Sequence, residues 1–294
     1  MPRSDSVGKA YAKFASSAKK DLKSPSATDQ LRLLVKESLD YLNGNAKLQP
    51  LKSLVAGKTY SGFVTAKPYK LSRPVNTLLF DRAITSAHLG KLGTPEMAKL
   101  PRSEREKVLY TAAASFCCAN DLIRRDDRKT PGSFFEYYIG HLVARELGVN
   151  PKNHIEVLNL DMAAKLPTDL IFDLGPDKNR IHLPVKLSTR ERVIQVWAHQ
   201  RVLDGVYGIN RFRGVLVCLT ETNLIRDSGE VVEICLPEQW TIYQMFIAQL
   251  TRVYYLDPPT IYTKLATKYP FIRVTSFADF FDEQAVLTTG GVGA

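Results

Sequence analysis

Two short apolar runs separated by turn residues constrain the fold of this sequence most. Residues 170–174 and 181–185 are strongly apolar, and the segment GPDKNR between them contains the turn-forming residues Gly, Pro, Asp and Asn. This pattern predicts a β-hairpin. A hairpin closed symmetrically about the middle of that segment places Asp169, which opens the first strand, across from Lys186, which ends the second. The sequence therefore predicts a carboxylate beside a lysine at one end of the hairpin.

A helix is predicted directly after the hairpin. Ser188 and Thr189 offer N-cap hydroxyls, and the following stretch RERVIQVWAHQRVL has helical character. The first three residues of this predicted helix are Arg190, Glu191 and Arg192. Arg can donate two hydrogen bonds to guanine, and Glu can accept one from cytosine N4. A helix N-terminus in the major groove would present all three side chains to base edges, whereas the alternative is an ordinary charge cluster at a helix start.

The paired carboxylate and lysine suit phosphodiester hydrolysis, which needs a divalent metal ion and an activated water. Asp169 is the best candidate metal ligand, with the backbone carbonyl of Val185 as a second. Lys186 would position or help to deprotonate the attacking water and would offset phosphate charge. The structural alternatives are a strand cap for Asp169 and a solvent-facing strand position for Lys186. Glu136 is a candidate further acidic ligand, but with Ser133 it also matches a helix capping box, so both interpretations stay open.

The formal net charge of +10 is concentrated near the N-terminus. Residues 1–100 carry 17 Lys and Arg against 7 Asp and Glu, whereas the rest of the chain is balanced. This asymmetry indicates a region that meets a polyanion such as DNA, and the alternative is a basic surface that aids solubility. We therefore predict a basic, mainly helical DNA-contacting region over 1–100 and a catalytic core over 101–294. Basic and aromatic residues are interleaved in the first region, which suits a DNA-backbone or base-stacking surface, and the alternative is an ordinary loop-rich cap whose rings are buried. These residues are Lys52, Lys58, Tyr60, Phe63, Lys67, Tyr69, Lys70 and Arg73.

Composition excludes several classes of protein. No apolar run is long enough for a membrane span, and the N-terminus lacks the apolar segment of a signal peptide. The four cysteines form no CxxC pair and lie in apolar surroundings, which indicates buried thiols in a reducing cytoplasm and disfavours a structural zinc site. They are Cys117, Cys118, Cys218 and Cys235.

Apolar periodicity predicts the remaining elements. Helices are expected over residues 29–42, 103–118, 133–147 and 237–255, and strands over 214–220, 230–236 and 271–277. With the hairpin and its helix, this order describes an α/β core that contains a mixed sheet. Residues 288–294 are expected to be a frayed tail.

Over residues 130–220 the chain resembles type II restriction endonucleases of the PD-(D/E)XK superfamily. Thr168 and Asp169 match the P-D element, Lys186 matches the catalytic lysine, and the lysine followed by Arg190-Glu191-Arg192 matches the group that recognises CCGG, CCNGG or CCWGG sites (EcoRII, SsoII and NgoMIV). Glu136 matches an auxiliary acidic position. The contiguous Arg-Glu-Arg resembles the CCNGG branch more closely.

The resemblance has two main departures. Pro184 occupies the position, two residues before the lysine, where the motif has Asp or Glu. The Glu that the family carries thirteen or fourteen residues after the lysine is replaced by His199 and Gln200. Either residue can take part in a metal or water shell, but neither supplies a negative charge. We count His199 among the candidate site residues, with an ordinary helix-surface position as the alternative.

The resemblance implies a restriction-endonuclease-like fold and a prokaryotic, cytoplasmic homodimer. It implies Mg²⁺-dependent hydrolysis of double-stranded DNA at a palindrome containing CC and GG, with 5′-phosphates and 5′ overhangs and no small-molecule cofactor. One alternative is a DNA-binding protein that has lost catalysis; another is a structure-specific nuclease of the same superfamily. A flipped base, if the reaction uses one, would need an aromatic pocket from Tyr60, Phe63 or Tyr69.

Overall fold

The computed structural model describes residues 3–159, 162–176, 178–190, 193–225 and 227–289. Its α-helices are α1 Arg3–Lys20, α2 Pro25–Asn45, α3 Ser86–Leu89, α4 Arg102–Ile123, α5 Lys129–Leu147, α6 Ile194–Tyr207, α7 Pro237–Phe246, α8 Thr260–Thr263, α9 Leu265–Lys268 and α10 Gln284–Thr288. Its strands are β1 Lys47–Ser53, β2 Tyr60–Thr65, β3 Lys70–Leu71, β4 Val75–Asn76, β5 Lys152–Asn159, β6 Met162–Phe172, β7 Arg180–His182, β8 Val185–Lys186, β9 Phe212–Cys218, β10 Thr222–Ile225, β11 Glu230–Glu233, β12 Arg252–Tyr255 and β13 Val274–Ser276. Short 3₁₀ helices lie at Pro95–Met97 and Phe277–Phe281.

The chain divides into two compact units. The first unit contains Met1–Glu146 and Glu221–Ile234, and the second contains Leu147–Thr220 and Cys235–Ala294. This division does not follow the boundary that we predicted at residues 100 and 101. The charge asymmetry does not mark a packing boundary, because α4, which follows residue 100, packs on α2, which precedes it. A DNA-contacting role for residues 1–100 stays a prediction.

A small mixed sheet in the first unit joins distant parts of the chain. Its strands follow the order β10-β11-β1-β2-β3, and β4 also pairs with β2. The β1–β11 pair is parallel and aligns Lys52 with Glu230, whereas β1 and β2 are antiparallel. The strand predicted over 230–236 therefore forms, but it completes the sheet of the first unit.

The helices of the first unit bury an aromatic core. Phe116 of α4 lies 4.4 Å from Phe134 of α5, measured between ring centroids, and Phe14 of α1 packs edge-on against Phe134. The predicted helices all form, but α2 begins at Pro25 under a cap from Ser24, whose hydroxyl accepts from the Ala27 amide. The three predicted helices in this unit are thus confirmed with longer bounds.

The start of α5 corrects one prediction. This helix begins at Lys129, where the carboxylate of Asp127 accepts hydrogen bonds from the amides of Lys129 and Thr130. Ser133 therefore lies inside the helix and is not its N-cap residue. The capping-box interpretation of Glu136 is wrong for that reason.

His141 of α5 is a buried histidine whose two ring nitrogens both have partners. Its Nδ1 donates to the carbonyl of Leu22, so its Nε2 is the acceptor for the Thr28 hydroxyl, 3.1 Å away. Burial lowers the pKa of His141 to about 4. The imidazole is therefore neutral in the folded protein at pH values where it is protonated in the unfolded chain.

We expect His141 to make the first unit acid-sensitive. Between pH 6.5 and about 4 the unfolded chain binds a proton that the folded protein excludes, so the free energy of unfolding falls as the pH falls. The contribution of His141 is about 2 kcal/mol between pH 7 and pH 5. Urea denaturation of His141→Gln at both pH values should show a correspondingly weaker pH dependence. The exposed His154, changed to Gln, is the control, and equal pH dependence in wild type and His141→Gln would contradict this assignment.

A larger mixed sheet forms the second unit. Its strands follow the order β13-β12-β9-β7-β6-β5, and β8 also pairs with β9. The pairs that β9 makes with β7, β8 and β12 are parallel, as is β12–β13, whereas β5–β6 and β6–β7 are antiparallel. The α/β fold with a mixed sheet flanked by helices is confirmed.

An aromatic core holds α6 and α7 in the second unit. Trp197 of α6 meets Trp240 of α7 edge-on at 5.4 Å, and Trp240 stacks on Tyr262 at 4.2 Å. The helix predicted over 237–255 is wrong in its second half, because α7 ends at Phe246 and Arg252–Tyr255 is the buried strand β12. Periodicity failed there since a fully buried strand, like a buried helix turn, is apolar on both faces.

Two further sequence predictions can be compared with the fold. Cys117, Cys118 and Cys218 are buried, Cys235 is half-buried, and all four are free thiols. Burial also raises the pKa of Cys117 to about 11, as expected for an inert thiol. Within the described residues, no helix is both long and apolar enough to cross a membrane.

Candidate active site

Asp169 and Lys186 meet in the second unit as the sequence predicted. Asp169 lies in β6 and Lys186 ends β8, and the lysine Nζ is 2.6 Å from Asp169 Oδ2. Both side chains are about 30% exposed, so the pair is reachable from solvent while the strands still fix its geometry. Lys186 is thus a partly exposed strand lysine paired with a carboxylate, and its catalytic role stays a prediction.

The strand register differs from the one that we predicted. Ile171 of β6 lies opposite His182 of β7, which places Pro184, rather than Lys186, across from Asp169. The shift is two residues, and a shift of two leaves every side chain on its original face of the sheet. The long lysine side chain then reaches back to the carboxylate, so the predicted contact forms in spite of the register error.

The backbone of Val185 presents polar groups beside Asp169. The carbonyl of Pro184 accepts a hydrogen bond from the amide of Val217 in β9, and the carbonyl of Lys186 accepts one from Leu219, just after β9. The backbone N–H and C=O of Val185 therefore point away from β9, and its amide donates to Asp169 Oδ2 over 3.1 Å. Its carbonyl points to the same side and accepts no hydrogen bond from any described residue. A backbone carbonyl thus lies on the same side of β8 as the Asp169 carboxylate.

The donor set at this point suits a hard divalent cation. Mg²⁺ is commonly held by one or two carboxylates, with water and substrate phosphate completing its shell. Asp169 and the Val185 carbonyl would supply the protein ligands. Among the described residues no three His, Cys, Asp or Glu side chains are grouped closely enough to hold a metal ion. Water and substrate oxygens would complete the shell of such an ion.

Helix α6 covers this face of the sheet and closes a small cavity. The cavity has a volume of about 50 Å³ and is lined by Asp169, His182, Pro184, Lys186, Gln195, Val196 and His199. His199 is half-buried, and burial lowers its pKa, which favours the neutral imidazole. Its predicted place beside the carboxylate and lysine is consistent with this lining position. A role in a metal or water shell stays a prediction.

Gln200 has a different task from the one considered in the sequence. Its side chain is buried, with the amide nitrogen donating to Asp204 Oδ1 and to the Phe212 carbonyl. Its amide oxygen is 3.0 Å from Nδ1 of His182. Gln200 therefore binds its neighbours rather than a metal ion.

Sequence reasoning missed His182. It has no metal-ligand spacing with another histidine of the sequence, yet it lines the cavity beside Asp169 and Lys186. The sequence signal was spacing: residues 182, 184 and 186 are two apart, so their side chains share one face of the predicted strand.

The candidate auxiliary acid lies in the first unit. Glu136 is a half-buried residue of α5, where its negative charge helps to raise the pKa of Tyr11 after the larger effects of burial, Tyr137 and Asp127. Asp169 belongs to the second unit. A metal-binding role for Glu136 stays a prediction.

The candidate base-reading segment precedes α6. Helix α6 begins at Ile194, so Arg190 lies in a turn and not within the helix as predicted. Its guanidinium Nε donates to the Ser188 hydroxyl over 3.3 Å, which uses the side chain that we had assigned to an N-cap. The Arg190 side chain is exposed. Glu191 and Arg192 lie outside the described residues.

The basic and aromatic segment of the first unit is more internally engaged than we predicted. Lys58 pairs with Glu233 at 2.7 Å, and Arg73 forms a two-pronged pair with Asp121. Tyr60 and Phe63 are buried in the core. These two rings are therefore unavailable to stack on a flipped base, because both are buried and Phe63 packs edge-on against Phe80.

Tyr69 differs from the other two rings, since its side chain is 63% exposed. Of the basic residues nearby, Lys52 is paired with Glu230, and the Lys70 ammonium donates to the Leu122 carbonyl. A DNA-backbone role for this segment stays a prediction.

Comparison with solved structures identifies the fold. The type IIP restriction endonuclease Kpn2I matches with a TM-score of 0.79 and 21% sequence identity, over 95% of this chain and 96% of that chain. A complex of restriction endonuclease PspGI with substrate DNA matches with a TM-score of 0.41 and 14% identity, over 66% of this chain and 79% of that chain. No protein-family model and no curated protein sequence matches this chain. The chain therefore has the fold of a restriction endonuclease over nearly its whole length.

Proposed function

We propose, on the premise of this shared fold, that the chain is a type II site-specific deoxyribonuclease. The observation that carries the proposal is the contact of Asp169 with Lys186, beside the Val185 amide that donates to the same carboxylate. These groups suit phosphodiester hydrolysis, and α6 lines the same cavity. The fold supports the proposal, because Kpn2I is itself a restriction endonuclease.

Each residue has a defined task in the proposed reaction. Asp169 and the Val185 carbonyl would hold Mg²⁺, which when bound would supply positive charge at the scissile phosphate. Lys186 has three N–H donors, and one of them is directed at Asp169. The other donors can orient the attacking water and offset phosphate charge. His199, on the wall formed by α6, would complete the water shell.

We propose further that Arg190, Glu191 and Arg192 read two G·C pairs. Each Arg would bind guanine O6 and N7, and the Glu would accept from the adjacent cytosines. A twofold homodimer would read the same pattern inverted, which gives a palindrome with CC and GG, with CCNGG favoured over CCGG. Hydrolysis would leave 5′-phosphates and 5′ overhangs.

The direct test is digestion. Purified protein is incubated with plasmid and phage DNA in Mg²⁺, and the fragment ends are sequenced. Discrete fragments that end at one CC and GG palindrome would support the proposal and give the spacing between the two half-sites. Random ends, or preference for branched over linear DNA, would contradict the sequence-specific assignment.

A second function is favoured by one specific observation. Pro184 lies opposite Asp169, where a second carboxylate would strengthen the metal site. A chain that binds its site without cutting it would agree with this. In Mg²⁺ such a protein would slow the migration of DNA that contains a CC and GG palindrome in a gel-shift assay, and it would produce no cleavage fragments.

We expect Glu191→Ala to abolish recognition. The variant loses the acceptor for cytosine N4, and each lost base contact of this kind costs about 1–3 kcal/mol of discrimination, twice over in a dimer. Cleavage at the cognate site should fall below detection in single-turnover assays. Glu238→Ala, an exposed carboxylate at the start of α7, is the matched control. Cleavage of the same sequence with wild-type efficiency by Glu191→Ala would remove Glu191 from the reader.

A further inference from the structure

His182 is a buried imidazole in the wall of the candidate active site. It pairs through the backbone with Ile171 of β6 and with Gly214 of β9, so its position is fixed by two neighbouring strands. Its side chain is fully buried and still lines the cavity that contains Asp169 and Lys186. A polar group in such a place is costly unless both of its nitrogens have partners.

The hydrogen-bond network determines which nitrogen of His182 carries the proton. Both amide hydrogens of Gln200 are used, one by Asp204 Oδ1 at 2.9 Å and one by the Phe212 carbonyl at 3.1 Å. The oxygen of Gln200 must therefore be the atom that faces His182 Nδ1, and it can only accept. His182 consequently carries its proton on Nδ1 and a lone pair on Nε2.

That lone pair has no partner in the part of the chain that the structure describes. Nε2 of His182 is buried and accepts no hydrogen bond from any described residue. His141, the buried histidine of the first unit, shows the contrast, because its two nitrogens bind Thr28 and Leu22. Both ring nitrogens of His141 are hydrogen-bonded, as in a structural histidine, whereas Nε2 of His182 is an unused acceptor in the wall of the candidate active site.

We propose that His182 belongs to the catalytic site and that its Nε2 accepts a hydrogen bond from the attacking water. This inference rests on the proposed nuclease function. His182 lines the cavity of about 50 Å³, a volume large enough to hold one water. Lys186 would donate to the water oxygen and His182 would accept one of its hydrogens, which together would direct a lone pair of the water toward the phosphate.

The chain from Asp204 through Gln200 positions the imidazole. The acceptor that faces Nδ1 of His182 is therefore the neutral amide oxygen of Gln200, whose direction is fixed, and not a titratable carboxylate. Burial lowers the pKa of His182 to about 4, so the ring orients the water at neutral pH without taking its proton, which passes to solvent. Asp204 and Gln200 are therefore positioning residues in this site.

A pair of substitutions tests the proposal. His182→Asn retains a donor near the place of Nδ1 but has no acceptor at the place of Nε2, whereas the longer side chain of His182→Gln can put an oxygen there. We expect single-turnover cleavage to slow by about 10- to 100-fold in the Asn variant, with DNA affinity in Ca²⁺ unchanged and most of the rate restored by Gln. His154→Asn, at an exposed position of β5, is the matched control.

Spectroscopy separates a site role from a structural one. In ¹⁵N NMR the Nε2 signal of His182 should be that of an unprotonated nitrogen, and it should shift when cognate DNA is added in Ca²⁺. A protonated Nε2 would overturn the proposal. So would wild-type cleavage by a folded His182→Asn, or a loss of thermal stability alone in that variant.

The failures of the two proposals are distinguishable. If wild type cuts DNA and His182→Asn cuts equally well, only the role of His182 is wrong. If wild type does not cut, the nuclease function falls and the role of His182 falls with it.

Discussion

Lys186→Ala should bind its DNA site and fail to cut it. The ammonium of Lys186 is the only cation whose contact with Asp169 appears among the described residues, at 2.6 Å, and it lines the cavity in which water would attack. Removing one preorganised donor from a site of this kind costs about 10²–10³ in rate. Because Lys186 is also expected to assist proton removal, we place the loss at the upper end, at about 10³-fold.

Single-turnover digestion of a supercoiled plasmid measures this effect, and gel retention in Ca²⁺ measures DNA affinity. The affinity should change by less than about threefold, since one phosphate contact among many is lost. Asp169→Asn should show the same loss of cleavage. The Asn side chain keeps an oxygen that can accept from the backbone N–H of Val185, but it lacks the negative charge that would hold a metal ion. Lys264→Ala, at an exposed lysine of the same unit, is the control. Cleavage by Lys186→Ala within tenfold of wild type would remove the lysine from the mechanism.

Trp197→Ala should produce the largest loss of stability among the substitutions discussed. The indole is 1% exposed, packs edge-on against Trp240, and donates from Nε1 to Gln244 Oε1 over 2.9 Å. Truncation of a fully buried Trp leaves a cavity and costs about 3–5 kcal/mol. That is a large share of the roughly 5–15 kcal/mol that stabilises an ordinary domain. Since Trp197 anchors α6, the same change should also loosen His199 and Gln200 in the active-site wall.

Urea denaturation followed by circular dichroism measures the expected loss without relying on indole fluorescence. Trp197→Phe keeps most of the packing and loses the N–H donor, so it should cost about 1–2 kcal/mol. Val202→Ala, on the exposed face of α6, should cost well under about 1 kcal/mol. A Trp197→Ala protein that unfolds at the wild-type urea concentration would show that α6 is held by other contacts.

The substitutions at Lys186 and Trp197 probe separate properties. The lysine acts on the reaction and touches little of the core, whereas the tryptophan supports the helix that covers the site. A variant that loses cleavage while its unfolding curve is unchanged therefore reports on chemistry. A variant that loses both reports on the position of α6.

The sequence by itself determined the hairpin, the pairing of Asp169 with Lys186 and the mixed α/β core. Turn residues between two apolar runs specify a hairpin locally, and the alternation of a strand fixes which residues share a face. The pair survived an error of two residues in the register because an even shift preserves the face and the lysine side chain is long. Local chemistry was sufficient for these features.

Only the tertiary structure decided the rest. The strand at 252–255 looked like part of a helix because burial on both faces removes the alternation that marks a strand. The membership of 221–234 in the first unit depends on pairing between β1 and β11, more than 170 residues apart in the chain. The proposed role of His182 depends on the orientation of the Gln200 side-chain amide. Asp204 and the Phe212 carbonyl, which both lie outside the strand of His182, fix that orientation. Such features arise from contacts between distant segments, and no local pattern encodes them.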